Sequence, residues 1–368
     1  MSKTRKNKVY FDDRFTNSKF DFCKNLKWFL IAPAAIILVG VILLCTLGFN
    51  LGIDFTGGSN MTIYIDGENY SISNLGKIED AVQGVLTEHG LKITTVQTTE
   101  MTLKDADDNE IRSNASAVIV KYQNNNSLTT DEIKEENEHI KEELLTVFGY
   151  TSADEVNYIE NGGITTASAS AELMMKSFIA LLVALVLVLI YVALRFEITA
   201  GLAAILALFH DLLVTGSVIL MFRTQVNVAF IAALITVLGY SINNTIIIFD
   251  RMRSDVKTAR NANERIDNNK IANNAVKGTM MRSLLTGITT LIMVLMITII
   301  GVADIREFAF PILVGIIAGF YSSVFITPGL WAIAYRPRKR KKVTQKVEKK
   351  EEIVEVEPEK ETATEENA

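Results

Sequence analysis

Six stretches of the chain are apolar over roughly the 20 residues that an α-helix needs to cross the ~30 Å hydrocarbon core of a membrane. Five of them are Trp28–Phe49, Leu173–Leu194, Ile198–Met221, Leu284–Val302 and Phe308–Ala334, and the remaining one surrounds Gly239–Arg253. The pattern predicts an α-helical polytopic membrane protein with six transmembrane helices, the first at 28–49 and the others within 173–335. The first stretch lies well inside the chain and no small-residue cleavage site follows it, which indicates a helix rather than a cleavable signal.

Basic residues are concentrated on both flanks of this region, in residues 1–27 and directly after Tyr335. Cytoplasmic segments carry the excess of Lys and Arg, so both termini are predicted to be cytoplasmic, and residues 251–281 fall on the same side by alternation. Scattered apolar residues among basic ones predict that 251–281 forms helices at the membrane surface. Residues 336–368 pass from a Lys/Arg block into Glu-rich repeats, which predicts a disordered charged tail.

The formal net charge of −5 combines an acidic segment outside the membrane with these basic edges. It gives no reason to expect nucleic acid as a partner, and the basic edges are interpreted as contacts with anionic membrane lipids. Neither of the two cysteines, Cys23 and Cys45, lies between the first two spans. A disulfide framework is therefore not expected there.

Residues 50–170, between the first two spans, are predicted to form an extracytoplasmic α+β domain. Alternating apolar positions and helical spacing predict four strands and two helices: strands at 60–65, 91–96, 115–122 and 155–159, and helices at 75–89 and 130–148. This βαββαβ order is that of a ferredoxin-like domain. No His, Cys or paired-carboxylate cluster marks a catalytic site there, so neither enzymatic activity nor a metal or other cofactor is expected.

An ionisable residue interrupts the third span. Asp211 lies near its middle, with Thr215 one turn further on, while the adjacent His210 is predicted to point elsewhere. A carboxylate within a membrane is by default a functional hypothesis, here an ion-carrying group. The alternative is that Asp211 only hydrogen-bonds a neighbouring span.

A polar cluster interrupts the fourth span: Ser241, Asn243, Asn244 and Thr245. A buried amide without partners costs roughly 4–8 kcal/mol by water-to-alkane measures. These side chains should therefore face other protein, water or a transported ion.

The fifth and sixth spans also carry polar or small residues at turn spacing. One face of the fifth span consists of Arg282, Thr286, Thr289 and Thr290. It could form a polar path from the cytoplasmic edge inward, or Arg282 alone could be a snorkelling anchor. On the sixth, Gly315 and Gly319 precede Ser322 and Ser323 and permit close helix packing. We predict that spans three to six turn these faces inward in one bundle.

A glycine-rich sequence, GIDFTGG at 52–58, directly follows the first span. Its paired glycines allow a tight turn that most residues cannot adopt. Asp54 is predicted to cap its own turn.

These segments together resemble the SecF family, the smaller partner in the SecD–SecF complex of bacterial protein export and a branch of the resistance-nodulation-division superfamily. The resemblance covers nearly all the chain except the tail and depends on five motifs: GIDFTGG at 52–58, HD at 210–211, GYSINNTIIIFDRMR at 239–253, RSLLTGITT at 282–290 and FAFPILVGIIAGFYSSVFI at 308–326. The motif residues singled out are Gly52, Asp54, Phe55, Gly57, Gly58, Gly239, Tyr240, Ser241, Asp250 and Arg251.

The resemblance implies a multi-pass protein of the bacterial cytoplasmic membrane that works with SecD. Together they would use the proton-motive force to pull preproteins outward after these enter the SecYEG channel, and a YajC-type accessory subunit could join them. The family pairs an aspartate in the fourth-span motif with an arginine in the fifth, and SecD contributes another aspartate. Arg282 matches the arginine, but Asn244 stands at the aspartate's position.

Asparagine cannot release a proton near neutral pH, so three hypotheses remain open. Protons pass through the SecD aspartate with Asp211 assisting; sodium is the coupling ion, with amide and hydroxyl ligands; or the subunit is mainly structural. The candidates for ion coupling are Asp211, Asn243, Asn244, Arg282 and Thr286. Two rival functions are a half-size exporter of small molecules or lipids from the same superfamily and a non-coupling scaffold of the translocon.

Overall fold

The computed structural model describes residues 20–64, 75–104, 110–125, 128–149, 158–262 and 264–336. In chain order its elements are α1 (Leu26–Leu47), α2 (Ile53–Thr56), β1 (Gly58–Tyr64), α3 (Leu75–Glu88), β2 (Lys92–Lys104), β3 (Glu110–Gln123), α4 (Thr130–Phe148), β4 (Tyr158–Thr165), α5 (Ala167–Arg195), α6 (Ile198–Met221), α7 (Val228–Asn261), α8 (Asn268–Ile300), α9 (Ala303–Tyr321), a π-helical turn (Ser322–Ile326) and α10 (Thr327–Ala334).

The six predicted spans are confirmed as helices long and apolar enough to cross a membrane: α1, α5, α6, α7, α8 and the continuous α9–π–α10 stretch. Burial separates them into two groups. In the most apolar window of each helix, 61% of the sixth span and 50% of both α6 and α7 are buried, compared with 6% of α5. Thus α6, α7 and the sixth span form the centre of the bundle.

The connection between the fourth and fifth spans differs from its prediction. In place of surface helices in 251–281, α7 continues to Asn261 and α8 begins at Asn268. The apolar residues that suggested a membrane-facing surface pack into the bundle core, among them Ile271, Ala272, Ala275 and Val276. Periodicity alone does not distinguish a helix face buried against protein from one lying on lipid.

The segment between the first two spans contains a four-stranded antiparallel sheet with the strand order β2-β3-β1-β4. On β1, Met61 pairs with Val120 of β3, and Ile63 pairs with Val118 of β3 and Ile159 of β4. These side chains form one core with residues of α3 and α4. The predicted βαββαβ element order is therefore present.

Several boundaries in this segment differ from the prediction. The β2–β3 hairpin is longer than the predicted strands, and β4 extends through Gly162 and Gly163 to Thr165. Glycine is disfavoured in strands, which explains the early predicted end. Some predictions fall on residues that lie outside the described ones: 1–19, 65, 155–157 and the tail from 337. Residue 89, the predicted end of a helix, is described as part of the turn after α3.

Helix α4 shows how local sequence sets an element's ends. Thr129 accepts a hydrogen bond from the Glu132 backbone N–H, and the Glu132 carboxylate accepts one from the Thr129 backbone N–H. This capping box satisfies two donors at the helix start. The hydrogen bonds that the Glu132 carboxylate accepts from the Thr129 backbone N–H and from the Thr129 hydroxyl hold its pKa below the usual value. The helix ends at Gly149, whose φ of 89° favours glycine.

Candidate functional site at the centre of the membrane bundle

Asp211 of α6 lies at the centre of the bundle and is 1% exposed. Its Oδ2 accepts hydrogen bonds from Ser241 Oγ of α7, at 2.5 Å, and from Ser322 Oγ of the π turn, at 2.9 Å. Its Oδ1 lies 2.9 Å from His210 Nδ1. The carboxylate thus joins the third, fourth and sixth spans. The prediction that His210 points elsewhere is wrong, because its ring turns back onto the neighbouring carboxylate.

The π turn lets two consecutive serines face the centre. Ser322 bonds Asp211, while Ser323 Oγ lies 2.9 Å from Thr245 Oγ1 of α7. Pro328 lacks the N–H that would continue the α-helical pattern, and the Thr327 N–H bonds the Ser322 carbonyl five residues earlier. The sequence predicts only that these serines permit close packing. The turn is not predicted, and the sequence signal for it is Pro328, five residues after Ser323.

A second group of buried polar atoms lies one turn along α7. Asn244 is 1% exposed, and neither its Oδ1 nor its Nδ2 has a hydrogen-bond partner among the described residues. The same holds for Thr215 Oγ1 of α6, Ser283 Oγ of α8 and the Tyr240 hydroxyl. Asn244 therefore differs from Asp211, every oxygen of which is paired.

The register of α7 against α8 places Asn244 level with Ser283. The Tyr240 hydroxyl faces Gly287, and Arg251 faces Gly278, so the two helices run antiparallel. One turn onward from Tyr240 is Asn244, and one turn back from Gly287 is Ser283. Both carry buried polar atoms that can hydrogen-bond a polar ligand, a water or an ion.

The other ion-coupling candidates lie elsewhere. Asn243, Arg282 and Thr286 are exposed, and the hydroxyls of Thr286, Thr289 and Thr290 bond carbonyls of their own helix. The prediction that this face of the fifth span turns inward is wrong. The inward stripe of α8 consists instead of Ser283, Gly287 and Val294, which are buried.

Close packing positions the central helices. Gly315 of α9 lies against the Val237 side chain of α7, and Gly319 lies against Ser241. Any larger residue at these positions would meet atoms of α7. The predicted packing role of the two glycines is confirmed, and their small size lets Ser322 reach Asp211.

The GIDFTGG sequence connects the first span to the loop between α6 and α7. The Gly52 N–H donates to the Val226 carbonyl at 3.0 Å, and the Val226 N–H donates to the Asn50 carbonyl at 2.8 Å. Phe55 packs in the apolar cluster that contains Val226. Asp54 Oδ2 accepts from the Val228 N–H, at 3.2 Å, in the first turn of α7. Asp54 therefore caps α7, which corrects the prediction that it caps its own turn.

The two adjacent glycines of this sequence are required for different structural reasons. Gly57 has a φ of 80°, a conformation that side chains rarely adopt. Gly58 begins β1, where its Cα lies so close to the Tyr122 carbonyl of β3 and to Ile53 that a Cβ would overlap them. The sequence thus forms a closely packed connection between the membrane bundle and the sheet.

The remaining motif residues lie towards the opposite end of the bundle or on its surface. One Nη of Arg195 contacts both carboxylate oxygens of Asp250, at 2.8 and 2.9 Å, and Arg251 Nε lies 3.2 Å from Asp255 Oδ1. Gly239 is exposed on α7. Partly exposed pairs of this kind contribute about 0–1 kcal/mol.

Glu307, which sequence analysis did not single out, links the sheet to the bundle. Its Oε2 accepts from Asn227 Nδ2 at 2.6 Å, and its Oε1 accepts from Gln97 of β2. It lines a cleft of about 300 Å³ with Asp54, Asn60 and Lys121. The sheet therefore rests on the bundle through polar contacts.

Fold and site together define a polytopic membrane protein with six spans, a βαββαβ insertion after the first, and a buried carboxylate shared by three spans. The protein family described as "Protein export membrane protein SecD/SecF, C-terminal" matches residues 146–336, and the SecD/SecF GG motif matches residues 42–63. The chain belongs to the SecF family, as the motifs suggested.

Individual relatives agree. The chain is 32% identical to protein translocase subunit SecF of Calditerrivibrio nitroreducens, over 88% of this chain and 97% of that one. It is 29% identical to protein translocase subunit SecDF of Bacillus subtilis, over 88% of this chain but 39% of that one. The crystal structure of SecDF from Thermus thermophilus, a translocon-associated membrane protein, matches with a TM-score of 0.64 and 26% identity, over 86% of this chain and 38% of that one.

Proposed function

We propose that this protein is a SecF-type subunit of the bacterial protein-export machinery, which uses an ion-motive force together with SecD to move preproteins across the cytoplasmic membrane. Family membership supports export of proteins over export of small molecules or lipids. The SecDF relatives, of which this chain covers 39% and 38%, support a partnership with a SecD part. SecYEG, a YajC-type subunit and preproteins belong to the same proposal.

The proposed topology has both termini in the cytoplasm and the sheet outside it. The distribution of Lys and Arg supports this orientation. The sheet segment is proposed to be a ferredoxin-like domain, since its βαββαβ order and β2-β3-β1-β4 arrangement match a split βαβ fold. The helices α3 and α4 cover one face of the sheet, and from the other face Gln97 bonds Glu307 of the bundle.

The observation that carries the coupling proposal is the buried Asp211 carboxylate shared by three spans. Protonation turns one oxygen of this carboxylate from an acceptor into a donor, so its hydrogen bonds with the hydroxyls of α7 and the sixth span must rearrange. The proton is thereby coupled to the relative position of these helices. His210 at 2.9 Å provides a second group that can exchange the proton. We propose the proton route through Asp211, assisted by the SecD partner.

A reconstituted translocation assay tests this route. Proteoliposomes containing SecYEG, SecD and this chain receive a preprotein intermediate, and an imposed gradient of protons or of sodium drives its movement. Asp211→Asn should abolish proton-driven movement while complex assembly persists, whereas Thr236→Ala, on the exposed face of α7, should leave movement unchanged. Movement that follows sodium alone would refute the proton route.

The full pairing of Asp211 also favours a second candidate, a scaffold that stabilises the translocon without coupling. A paired buried carboxylate is what a structural role requires. The same assay separates the candidates: a scaffold predicts that SecD activity requires this chain but that Asp211→Asn leaves gradient-driven movement intact.

A further inference from the structure

A pocket of about 260 Å³ opens at the basic edge of the bundle, remote from Asp211. Its floor consists of apolar and aromatic side chains that are almost completely buried, with Phe249 at 2% exposure, Trp331 at 4% and Tyr335 at 5%. Trp331 and Tyr335 stack with ring centroids 4.6 Å apart. The floor thus offers a preformed apolar surface beside the membrane-spanning part of α7.

The rim of this pocket is basic. Arg253, Lys257 and Arg260 follow one another at helical spacing on one face of α7 and line the pocket. Arg260 donates to the Tyr335 hydroxyl at 2.7 Å, which fixes its guanidinium at the rim. Glu197 is the acidic residue of the lining, so three cations against one carboxylate leave two net positive charges.

The position of the rim matches the headgroup level of a membrane. Arg253 lies one helical turn beyond Phe249, where the apolar part of α7 ends, and Trp331 and Tyr335 lie near the end of the sixth span. Aromatic and long basic side chains gather at this depth because their apolar parts stay in hydrocarbon while their polar ends reach the interface. A ligand here would have a phosphate at the rim and an acyl chain along the apolar floor.

We propose that this pocket binds an anionic glycerophospholipid, with its phosphate held by Arg253 and Lys257. The two side chains are exposed and, among the described residues, form no ion pair within 4 Å. A basic pocket between membrane helices is a typical headgroup site. The combination of charged rim and aromatic floor selects a lipid over a soluble phosphate compound, which would leave the floor uncovered.

Binding at this site can be measured by the fluorescence of a tryptophan that the chain already contains. The chain contains two tryptophans, and Trp28, which is 74% exposed, can be replaced by Phe so that Trp331 in the pocket floor is the single tryptophan. The full-length Trp28→Phe protein is placed in phosphatidylcholine nanodiscs containing a small fraction of brominated phosphatidylglycerol or, separately, of brominated phosphatidylcholine. Bromine near the glycerol end of the acyl chain quenches tryptophan on contact.

Brominated phosphatidylglycerol should quench Trp331 more strongly than brominated phosphatidylcholine at equal mole fraction. Arg253→Gln with Lys257→Gln should remove this preference, with an affinity loss of about 30-fold, since each basic side chain contributes about fivefold. The matched control, Arg265→Gln with Lys270→Gln, removes equal charge from the same edge outside the pocket and should keep the preference.

The exchange Arg253→Lys with Lys257→Arg, which retains both charges, should also keep the preference. Equal quenching by the two lipids in the parent protein, or a preference that survives the double Gln change, would overturn the proposal. Dissolved glycerol 3-phosphate should not compete. If it abolished the preference, the ligand would be a soluble phosphate and the lipid assignment would be wrong.

Discussion

Two neighbouring groups of buried polar side chains in this bundle differ in whether their polar atoms have hydrogen-bond partners. Around Asp211, Ser241 and Ser322 each hydroxyl and carboxylate oxygen has a partner: Asp211 Oδ2 bonds the two serines of other spans, and Oδ1 lies beside His210 of its own span. Around Asn244 and Ser283, one turn away, buried atoms lack partners among the described residues. The first group can stabilise the fold whatever else it does. The second contributes no hydrogen bond to stability, so its polarity calls for a functional explanation.

The largest effect on folding is expected from removing the paired carboxylate. Asp211→Leu leaves the Ser241 hydroxyl without its acceptor and the Ser322 hydroxyl with only the Gly319 carbonyl, at 3.3 Å. It should destabilise the protein by about 2–5 kcal/mol, because each unsatisfied buried group costs about 1–3 kcal/mol. Thermal unfolding of the purified protein in detergent measures this as a lower Tm. Leu206→Ala, on the exposed face of the same helix, is the control and should change Tm little. An unchanged Tm for Asp211→Leu would mean that the pairing adds nothing to stability.

A smaller loss is expected from separating α9 from α7. In Gly315→Ala the new Cβ would lie 2.9 Å from the Val237 Cβ and closer still to its methyl groups, so the helices must move apart. Overpacking of this kind costs about 1–3 kcal/mol. Because α9 leads into the π turn, the Ser322–Asp211 contact should weaken too. The position of Asn244, which is level with Ser283 of α8, should not change.

The matched control for this change is Gly216→Ala on α6, where no atom lies within 4 Å of the new Cβ. Thermal unfolding should show a lower Tm for Gly315→Ala and an equal or slightly higher Tm for Gly216→Ala, since Ala is the better helix former. Equal Tm losses in both variants would indicate that helix propensity, and not the α7–α9 contact, governs the result.

Much of this arrangement follows from the sequence, because its causes are local. The six spans follow from apolar length, and the βαββαβ order follows from periodicity and from end signals such as Gly149. That Asp211 and Ser241 both lie inside the bundle also follows from the cost of isolated polar groups in lipid. Each of these inferences needs only a helix or strand and its own residues.

The parts that failed depend on which neighbour each face meets. On α8, the stripe of Arg282 and Thr286 and the stripe of Ser283 and Gly287 are both regular helix faces, and packing against α7 decides between them. Asp54 caps α7 in place of its own turn because a distant loop, around Val226, comes beside it. Tertiary contacts of this kind leave no periodic signal in the chain.

The smallest effect on folding is expected at Asn244. Its substitution also distinguishes most clearly between the two groups of buried polar side chains. Asn244→Leu replaces a buried amide of similar size that has no partner among the described residues, so the desolvation cost of about 1–3 kcal/mol disappears and Tm should stay the same or rise. If the amide serves ion movement, gradient-driven preprotein movement should nevertheless fall. Asn243→Leu is the matched control, because Asn243 is the adjacent exposed amide, and it should alter neither measurement. A lower Tm for Asn244→Leu would mean that the amide is paired and structural like Asp211, and the contrast between the two groups would not hold.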